Sequence, residues 1–410
     1  MGQFDGEALS SLLPILGKPS SDASRTIDRI LQAVRAHLAM DVAFISEFRG
    51  DERVFRHVDA EGWSPIFVGD SIPLEAGYCK RVVDGRLPRL IPDTTELPEA
   101  MSIPETLSIP IGSHLSVPIR LADGRLYGTF CCFGFQADQS LNDRDLHMME
   151  AFAELATYQI GQELETNRQR AEKIHRIESA IARGGPDMVF QPICRLSDER
   201  FVGVESLSRF PAEPGMTPVR WFADAAEVGL GWALESSAIR NALGALDTLP
   251  DTLYLAVNAS PETIMSKNFS ALFDGIDAER IVLELTEHAH VEDYEHLRRS
   301  MSDLRSRGVR VSIDDAGAGY ASMRHILNLQ PDIIKLDISL TRAIDRDHAR
   351  SALASALVAF GRQTGSSILA EGVETPNELA LLRKLGADKA QGYFLSRPLS
   401  LEDAIRRTTH

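Results

Sequence analysis

The chain has 410 residues, of which 44% are hydrophobic and 25% are charged. This composition excludes fibrous, low-complexity and wholly disordered classes, and the length predicts about two or three domains. The formal net charge of −16 argues against binding to duplex nucleic acid, because such binding relies on Lys and Arg to neutralise phosphates. We expect a cytoplasmic protein, since no apolar run is long enough to span a membrane, no secretory signal is visible and four cysteines do not make a disulfide framework.

The first part of the chain predicts a flexible arm, a helix and an antiparallel sheet. Residues 1–20 are expected to be the arm, and apolar residues at helical spacing begin at Ile27 behind a candidate cap at Ser21 or Asp22. The Asp-Gly pair at 123–124, between two apolar runs, is typical of a hairpin. Strands are predicted over residues 42–48, 115–120 and 127–135.

A long helix is predicted from Asp143 to about Ala182, where Gly184, Gly185 and Pro186 end it. At about 1.5 Å per residue, roughly 40 residues span about 60 Å, so we interpret this helix as a connector between domains. Its first part carries a short heptad seam, which predicts a homodimer through paired helices. The seam consists of Leu146, Met149, Ala153, Ala156 and Ile160.

From Met188 to the end, short apolar strands alternate with amphipathic helices. This alternation predicts an α/β fold, a modified (β/α)8 TIM-like barrel. The strands are predicted over residues 188–194, 201–208, 253–258, 281–285, 309–313, 333–336, 368–370 and 390–394.

Polar residues cluster where these strands end. The period of two along a strand places Glu205, Leu207 and Arg209 on one face. A structural pair is the alternative for any single member, but several buried carboxylates repel one another unless cations relieve the repulsion. Oxygen ligands favour Mg²⁺, Mn²⁺ or Ca²⁺. The polar residues near the strand ends are Glu205, Asn258, Glu284, Glu287, Asp314, Asp315, Lys335, Asp337, Glu371 and Gln391.

A series of short motifs follows the same strands in order. They are Phe-Gln-Pro-Ile (190–193), Glu-Ser-Leu-Ser-Arg-Phe (205–210), Val-Asn-Ala-Ser-Pro (257–261), Glu-Leu-Thr-Glu (284–287), Asp-Asp-Ala-Gly-Ala-Gly-Tyr (314–320), Lys-Leu-Asp (335–337), Ala-Glu-Gly-Val-Glu-Thr (370–375) and Gln-Gly-Tyr-Phe (391–394). With these motifs, residues 185–410 resemble the EAL-type cyclic di-GMP phosphodiesterase domain over essentially its whole length.

The resemblance implies hydrolysis of cyclic di-GMP to linear pGpG on two Mg²⁺ or Mn²⁺ ions, with Ca²⁺ inhibitory. It implies that Lys335 orients or polarises the attacking water and that Gln391 supports the site, with Glu205 and Glu371 also catalytic. Substrate contacts are implied for Gln191, Leu207, Arg209 and Asp337, with Arg209 pairing a phosphate oxygen. The implied ligands are Glu205, Asn258, Glu284 and Asp314 for one ion, and Asp314, Asp315 and Glu371 for the other.

The chain departs from the family pattern at a few positions. Ser206 replaces the alanine of the signature and is expected to face away from Glu205. Ala316 and Ala318 replace Phe and Thr in the loop with two implied ligands, while Glu287 matches the residue that orders this loop. The alternative function is a receptor that binds the dinucleotide without cleaving it and signals to a protein partner. A bifunctional synthase and hydrolase is not supported, because no Gly-Gly-Asp-Glu-Phe signature occurs.

Residues 21–165 resemble a GAF sensory domain, an α+β fold. The matching residues are 115–119, Gly124 and 127–132. The resemblance implies a small-molecule sensor or a dimerisation platform with an unidentified ligand. The cyclic-nucleotide signature of the family is missing. A bilin-type Cys-His pair is also missing, because Lys80 and not a histidine follows Cys79. The expected organisation is a flexible arm (1–20), a GAF-like domain (21–165), a connecting helix (166–184) and an EAL domain (185–410).

The cysteines and a group of histidines allow further predictions. Cys131 and Cys132 are adjacent in an apolar strand, so they are expected to point to opposite faces and to pack in the core, with redox sensing as the alternative. Cys79 has more potential for reactivity because a cation is adjacent. Three histidines are expected to be solvated rather than to bind zinc; they are His288, His290 and His296.

Overall fold

The computed structural model describes residues 23–285, 291, 293–316 and 320–409. The predicted arm over 1–20 and the candidate caps Ser21 and Asp22 lie outside these ranges. The chain forms two compact units, Met1–Gln169 and Arg170–His410. The boundary between them falls inside the predicted connecting helix.

The first unit contains a six-stranded antiparallel sheet with strand order β3-β2-β1-β6-β5-β4. The predicted first helix and the three predicted strands are present, with bounds shifted by a residue or two. Strands β2, β3 and β4 were not predicted. The helices are α1 (Ala23–His37), α2 (Tyr78–Val83), α3 (Pro98–Met101) and α4 (Pro104–Ser108), and the strands are β1 (Val42–Arg49), β2 (Glu52–Ala60), β3 (Ser71–Pro73), β4 (Leu90–Ile91), β5 (Ser113–Arg120) and β6 (Leu126–Gly134).

The two adjacent cysteines of β6 point to opposite faces of this sheet, as predicted. Cys132 packs in a core with residues of α1, and Cys131 packs in a second core with residues of α2. Cys79 is also buried: its sulfur accepts a hydrogen bond from Arg53 Nη1 at 2.7 Å and lies 3.4 Å from Cys131 Sγ. Burial raises the pKa of Cys79, but the hydrogen bond with Cys131 and the charge of Arg53 outweigh it and lower the pKa to about 6.

Helix α5 (Asp143–Ala182) has the predicted bounds. It is followed by Gly184 and Gly185, whose positive φ angles of 103° and 88° favour glycine and end the helix. The heptad seam is covered by its own unit. Met149, Ala153, Ala156 and Ile160 are 0–3% exposed and pack in the same core as α1. A heptad pattern predicts that one face of a helix is buried, but it does not show whether the same chain or a second chain covers that face.

The last turns of α5 belong to the core of the second unit. Ile177 and Ala180 are buried in a cluster with Trp221. Lys173 and Arg176 both form ion pairs with Asp224, which is only 2% exposed. The predicted connector therefore covers part of the barrel domain over 170–182.

The second unit is a closed barrel with strand order β10-β11-β12-β13-β14-β7-β8-β9. This confirms the predicted barrel. Strand β7 is antiparallel to both of its neighbours, whereas the other pairs are parallel. The strands are β7 (Asp187–Arg195), β8 (Phe201–Arg209), β9 (Tyr254–Ala259), β10 (Ile281–Leu285), β11 (Arg310–Ala316), β12 (Ile333–Leu336), β13 (Ser367–Ala370) and β14 (Lys389–Ala390).

Helices connect these strands and cover the barrel. Those outside α5 are α6 (Pro218–Val228), α7 (Gly231–Leu243), α8 (Pro261–Ile264), α9 (Tyr294–Ser306), α10 (Tyr320–Leu329), α11 (Ile338–Thr341), α12 (His348–Thr364), α13 (Pro376–Leu385) and α14 (Leu401–Thr409). Within the described ranges, we find no helix that combines the length and apolar character needed to cross a membrane.

The last strand is shorter than predicted, because β14 ends at Ala390. The chain then passes against the loop after β13: Val373 N donates to Gln391 O at 3.1 Å. A Cβ atom on Gly392 would lie 2.2 Å from Val373 N, so only glycine fits here. This close approach fixes the backbone next to Gln391.

Candidate active site

Lys335 lies at the centre of a cluster of carboxylates at the carboxyl ends of the barrel strands. Its Nζ atom is 2.7 Å from Glu371 Oε1, 3.1 Å from Glu284 Oε2, 3.2 Å from Asp314 Oδ1 and 3.5 Å from Glu205 Oε1. Lys335 is 0% exposed. One ammonium group faces four carboxylates, so the cluster keeps an excess of negative charge when all are ionised.

Burial and mutual repulsion determine the protonation of this cluster. Burial raises the pKa of Glu284 and Glu371 well above the ordinary value, and Lys335 only partly opposes it. Burial also raises the pKa of Glu205, but the charge of Lys335 and hydrogen bonds outweigh it and hold that pKa below its ordinary value. For Lys335, the four carboxylates outweigh burial and raise the pKa well above its usual range. Added positive charge would stabilise the ionised cluster.

Asp314, Asp315 and Glu371 form a candidate cation site. Each offers one carboxylate oxygen, and these oxygens all lie within 4.8 Å of one another. Neighbouring strand residues normally point to opposite faces, but β11 is irregular between Ile313 and Ala316, and Asp315 has a φ of +55°. This bulge brings two consecutive carboxylates to one place. An all-oxygen donor set fits a hard divalent cation such as Mg²⁺ or Mn²⁺.

Amide side chains orient Glu205. Gln391 Nε2 donates to Glu205 Oε2 at 2.6 Å and to Gln191 Oε1 at 2.9 Å. Asn258 Nδ2 donates to Glu205 Oε1 at 3.3 Å, and Asn258 pairs in register with Glu284 of the next strand. The structure thus brings the predicted amides and carboxylates together. Ser396, whose carbonyl accepts a hydrogen bond from Gln191 Nε2 at 3.1 Å, was not predicted, and no motif marks it.

Three other predicted residues lie at the rim of the cluster. Leu207 is half-buried, and Arg209 is exposed. Arg209 Nη1 donates to the carbonyl of Ser208 at 2.9 Å, and its guanidinium makes no ion pair within the described ranges. Asp337 caps α11 by accepting a hydrogen bond from Ser339 N at 2.9 Å. This capping role was not predicted, although Asp before a short helix is a common cap.

Two hydroxyl groups position the backbone around the site. Ser206 Oγ donates to Ala256 O on β9 at 2.8 Å, away from Glu205 as predicted. Thr341 donates from its hydroxyl to the carbonyl of Glu371. Thr341 was not predicted, because a lone threonine in a short helix carries no sequence signal.

Some predicted residues fall outside the described ranges or away from the site. Glu287, Ala318, His288 and His290 lie outside the described residues. His296 is exposed on α9, as expected of a solvated residue.

Comparison with known proteins identifies both units. Residues 174–398 match the family model of the EAL domain, and residues 20–158 match that of the GAF domain. The probable cyclic di-GMP phosphodiesterase PdeI of Escherichia coli is 29% identical over 237 residues, which cover 54% of this chain and 30% of PdeI. The uncharacterized protein y4lL of Sinorhizobium fredii is 32% identical over 237 residues, which cover 56% of this chain and 29% of y4lL. The chain therefore spans less than a third of either relative.

A solved structure gives the same result for the barrel. The PaMucR phosphodiesterase in complex with c-di-GMP superimposes with a TM-score of 0.51 and 27% identity, covering 57% of this chain and 99% of that one. Because the EAL match extends over more than half of the residues, the chain belongs to the EAL domain family, with a GAF domain preceding the EAL domain.

Proposed function

We propose that the barrel hydrolyses cyclic di-GMP to linear pGpG and that the GAF domain regulates this activity. The observation that carries the proposal is the position of Lys335, within 2.7–3.5 Å of four carboxylates at the carboxyl end of the barrel. The similarity to the PaMucR phosphodiesterase bound to c-di-GMP and to the probable phosphodiesterase PdeI supports the choice of substrate.

We propose two Mg²⁺ or Mn²⁺ ions as cofactors, with Ca²⁺ inhibitory. Bound divalent cations would activate water and stabilise negative charge on the phosphate oxygens. Calcium has longer bonds of about 2.3–2.6 Å and a looser geometry, so it is expected to bind without supporting turnover. The residues that would hold the ions are Glu205, Asn258, Glu284, Asp314, Asp315 and Glu371.

The remaining site residues act on water and substrate in this proposal. Lys335 donates to the attacking water and orients it, and Gln391 fixes Glu205 and Gln191 through two hydrogen bonds. Arg209 pairs with a non-bridging phosphate oxygen, which suits its planar fork of donors. The role that the family resemblance implies for Glu287, ordering the loop that follows Asp314 and Asp315, stays a prediction. The substrate-contacting residues are Gln191, Leu207, Arg209 and Asp337.

The test is product analysis with the full chain. Incubation with cyclic di-GMP and Mg²⁺ or Mn²⁺ is expected to give linear pGpG, detected by chromatography and mass spectrometry. Excess chelator and Ca²⁺ alone should each prevent cleavage. Glu205→Gln should remove activity, whereas Glu402→Gln, at an 83%-exposed side chain on α14, should not. Full activity in excess chelator would contradict the proposal, and binding without cleavage would establish the receptor alternative instead.

We also propose a homodimer whose GAF domain binds a small ligand. Because the predicted seam of α5 is buried within its own unit, the dimer would use other surfaces.

A further inference from the structure

A cavity lies at the end of the barrel opposite the carboxylate cluster. Its volume is about 910 Å³. We call it the floor pocket, and it is lined by Tyr254, Arg310 and Lys389, the first residues of three parallel strands. Arg195 joins them from the carboxyl end of β7, because that strand runs antiparallel to its neighbours. No residue of the candidate active site lines it.

The floor pocket is strongly basic in a chain whose net charge is −16. Seven basic residues line it, against three acidic residues. A concave surface with one sign of charge and low-dielectric walls concentrates ions of the opposite sign. The basic residues are Arg195, Arg200, Arg280, Arg310, Arg383, Lys389 and Arg407, and the acidic ones are Glu199, Asp251 and Glu279.

Three of the seven cations are paired with carboxylates. Arg195 pairs with Asp198 at 2.9 Å, Arg383 with Glu199 at 2.8 Å and Arg280 with Asp251 at 3.2 Å. In the part of the chain that the structure describes, the other four cations form no ion pair. These four are Arg200, Arg310, Lys389 and Arg407.

The contacts of these four cations are with neutral groups. Arg407 Nη2 donates to Leu395 O at 3.1 Å, and Lys389 Nζ donates to Ser367 Oγ at 3.0 Å. The Arg310 guanidinium carbon lies 4.7 Å from the centre of the Tyr254 ring, and Lys389 Nζ lies 5.8 Å from it. Within the described ranges, the floor pocket thus has four cations that form no ion pair with a carboxylate, and two of them lie over one aromatic ring.

Lys389 shows the energetic consequence. It is half-buried, and burial together with the charges of Arg310 and Arg195 lowers its pKa to about 8, although Asp388 opposes the shift. A partly desolvated ammonium beside other cations is unfavourable unless an anion accompanies it.

We propose that the floor pocket binds a phosphorylated metabolite of nucleotide size through its phosphate oxygens. One guanidinium group can donate to two phosphate oxygens at once, and a lysine adds a compact point charge. The volume lies within the range of about 300–1,000 Å³ that is usual for small-molecule sites. The proposal does not depend on phosphodiesterase activity, because the floor pocket shares no residue with the carboxylate cluster.

The test uses the full chain and inorganic pyrophosphate as the probe, measured by isothermal titration at low ionic strength. Excess chelator is present, so that no cation can bridge pyrophosphate to the carboxylate cluster. We expect saturable binding at one site per chain. Lys389→Met and Arg310→Gln should each weaken it by about tenfold, which corresponds to about 1.4 kcal/mol. The control is Arg298→Gln on α9, an exposed arginine paired with Glu295, which should leave the affinity unchanged.

Arg200→Gln and Arg407→Gln extend the test to exposed positions, where substitutions usually change stability by less than about 0.5 kcal/mol. Each should weaken pyrophosphate binding by about threefold, because a rim charge is screened by solvent. Two results would overturn the proposal. One is the absence of saturable binding up to about 10 mM, beyond the affinity range of a specific site; the other is wild-type affinity in a folded Lys389→Met/Arg310→Gln double variant.

Discussion

At the scale of single residues, Lys335 is the only cation that contacts the four carboxylates of the cluster in the described structure. Replacing it with Met leaves those carboxylates buried without compensation. Removing one partner of a buried charged network costs about 3–5 kcal/mol. Lys335→Met is therefore expected to lower the melting temperature in excess chelator, and Mg²⁺ or Ca²⁺ should restore part of the loss. An unchanged melting temperature in chelator would contradict this account.

The same variant separates catalysis from binding. If Lys335 acts on the attacking water, Lys335→Met should reduce the cleavage rate far more than the affinity for cyclic di-GMP. Affinity is measured in Ca²⁺ and the rate in Mg²⁺. If affinity falls as far as the rate, Lys335 is a substrate-binding residue.

Glu205→Gln should have the opposite effect on stability. It removes one negative charge from a cluster with excess negative charge and keeps one oxygen, which can take the place of Oε2 and accept from Gln391 Nε2. Its amide nitrogen then replaces Oε1, to which Asn258 donates only at 3.3 Å. The melting temperature in chelator is therefore expected to stay or to rise, while cleavage is lost. Thermal unfolding of Glu205→Gln and Lys335→Met under the same conditions gives a matched comparison. A large fall in the melting temperature of Glu205→Gln would show that repulsion between carboxylates does not dominate the stability of the cluster.

His114 predicts a pH dependence of stability in the first unit. It is 1% exposed and stacks on Tyr78, and burial together with the charge of Arg53 lowers its pKa from 6.5 to about 3. Below pH 6.5 the unfolded chain therefore binds a proton at His114, whereas the folded chain leaves this histidine neutral down to about pH 3. The contribution of neutral His114 to the free energy of unfolding is fully present above pH 6.5. It falls by up to about 1.4 kcal/mol per pH unit between pH 6.5 and pH 3.

His114→Phe keeps an aromatic ring but cannot titrate, so its unfolding free energy should fall less between pH 7 and pH 4. Denaturant unfolding of the full chain at several pH values measures the difference. His147→Gln, at an exposed position of α5, is the control. Parallel pH profiles for wild type and His114→Phe would exclude His114 as the cause.

Sequence patterns predicted which polar residues lie together at the strand ends, but not the local geometry that brings them there. The period of two predicts Glu205 and Leu207 on one face of β8, which runs as one strand over Phe201–Arg209. The same period cannot bring Asp314 and Asp315 to one place; that depends on a bulge and a positive φ at Asp315. Such strained conformations are held by the surrounding structure, so only the family resemblance could predict them.

At the scale of elements, β2 shows why a strand can escape prediction. Its sequence contains charged residues at both parities, and Arg53 is only 1% exposed because it pairs with Glu105 at 2.5 Å inside the core. A buried ion pair breaks the alternation of apolar and polar residues. By contrast, β10 and β12 have the predicted bounds because all their residues are buried and apolar apart from one site residue each.

The seam of α5 gives an element-scale prediction. Met149 is 0% exposed in the core of the first unit, whereas Leu155, six residues later, is 46% exposed. Met149→Glu would bury an unpaired charge, which costs several kcal/mol, so it should lower the melting temperature of the first unit strongly. Leu155→Glu is the matched control and should have little effect. If both substitutions changed the melting temperature equally, the burial of the seam within its own unit would be contradicted.

At the scale of the whole molecule, every candidate site residue lies in the second unit, Arg170–His410. The fragment 170–410 is therefore expected to fold and to cleave cyclic di-GMP without the GAF domain. Its rate relative to that of the full chain measures the effect of the GAF domain, since both proteins carry the same site. If the fragment and the full chain cleaved cyclic di-GMP at equal rates, with and without candidate ligands, the proposed regulation by the GAF domain would be contradicted.

The position of the boundary matters because the end of α5 packs on the barrel. A fragment beginning at residue 185 keeps every site residue but loses Ile177 and Ala180, which are buried in a cluster with Trp221. It also leaves Asp224, 2% exposed, without Lys173 and Arg176. Loss of the burial of a large apolar side chain lowers the free energy of unfolding by about 2–5 kcal/mol. Loss of two ion-pair partners of the buried Asp224 carboxylate lowers it further. The fragment 185–410 should therefore melt well below 170–410 while its cleavage at low temperature is similar. Identical melting temperatures would mean that the last turns of α5 do not stabilise the barrel.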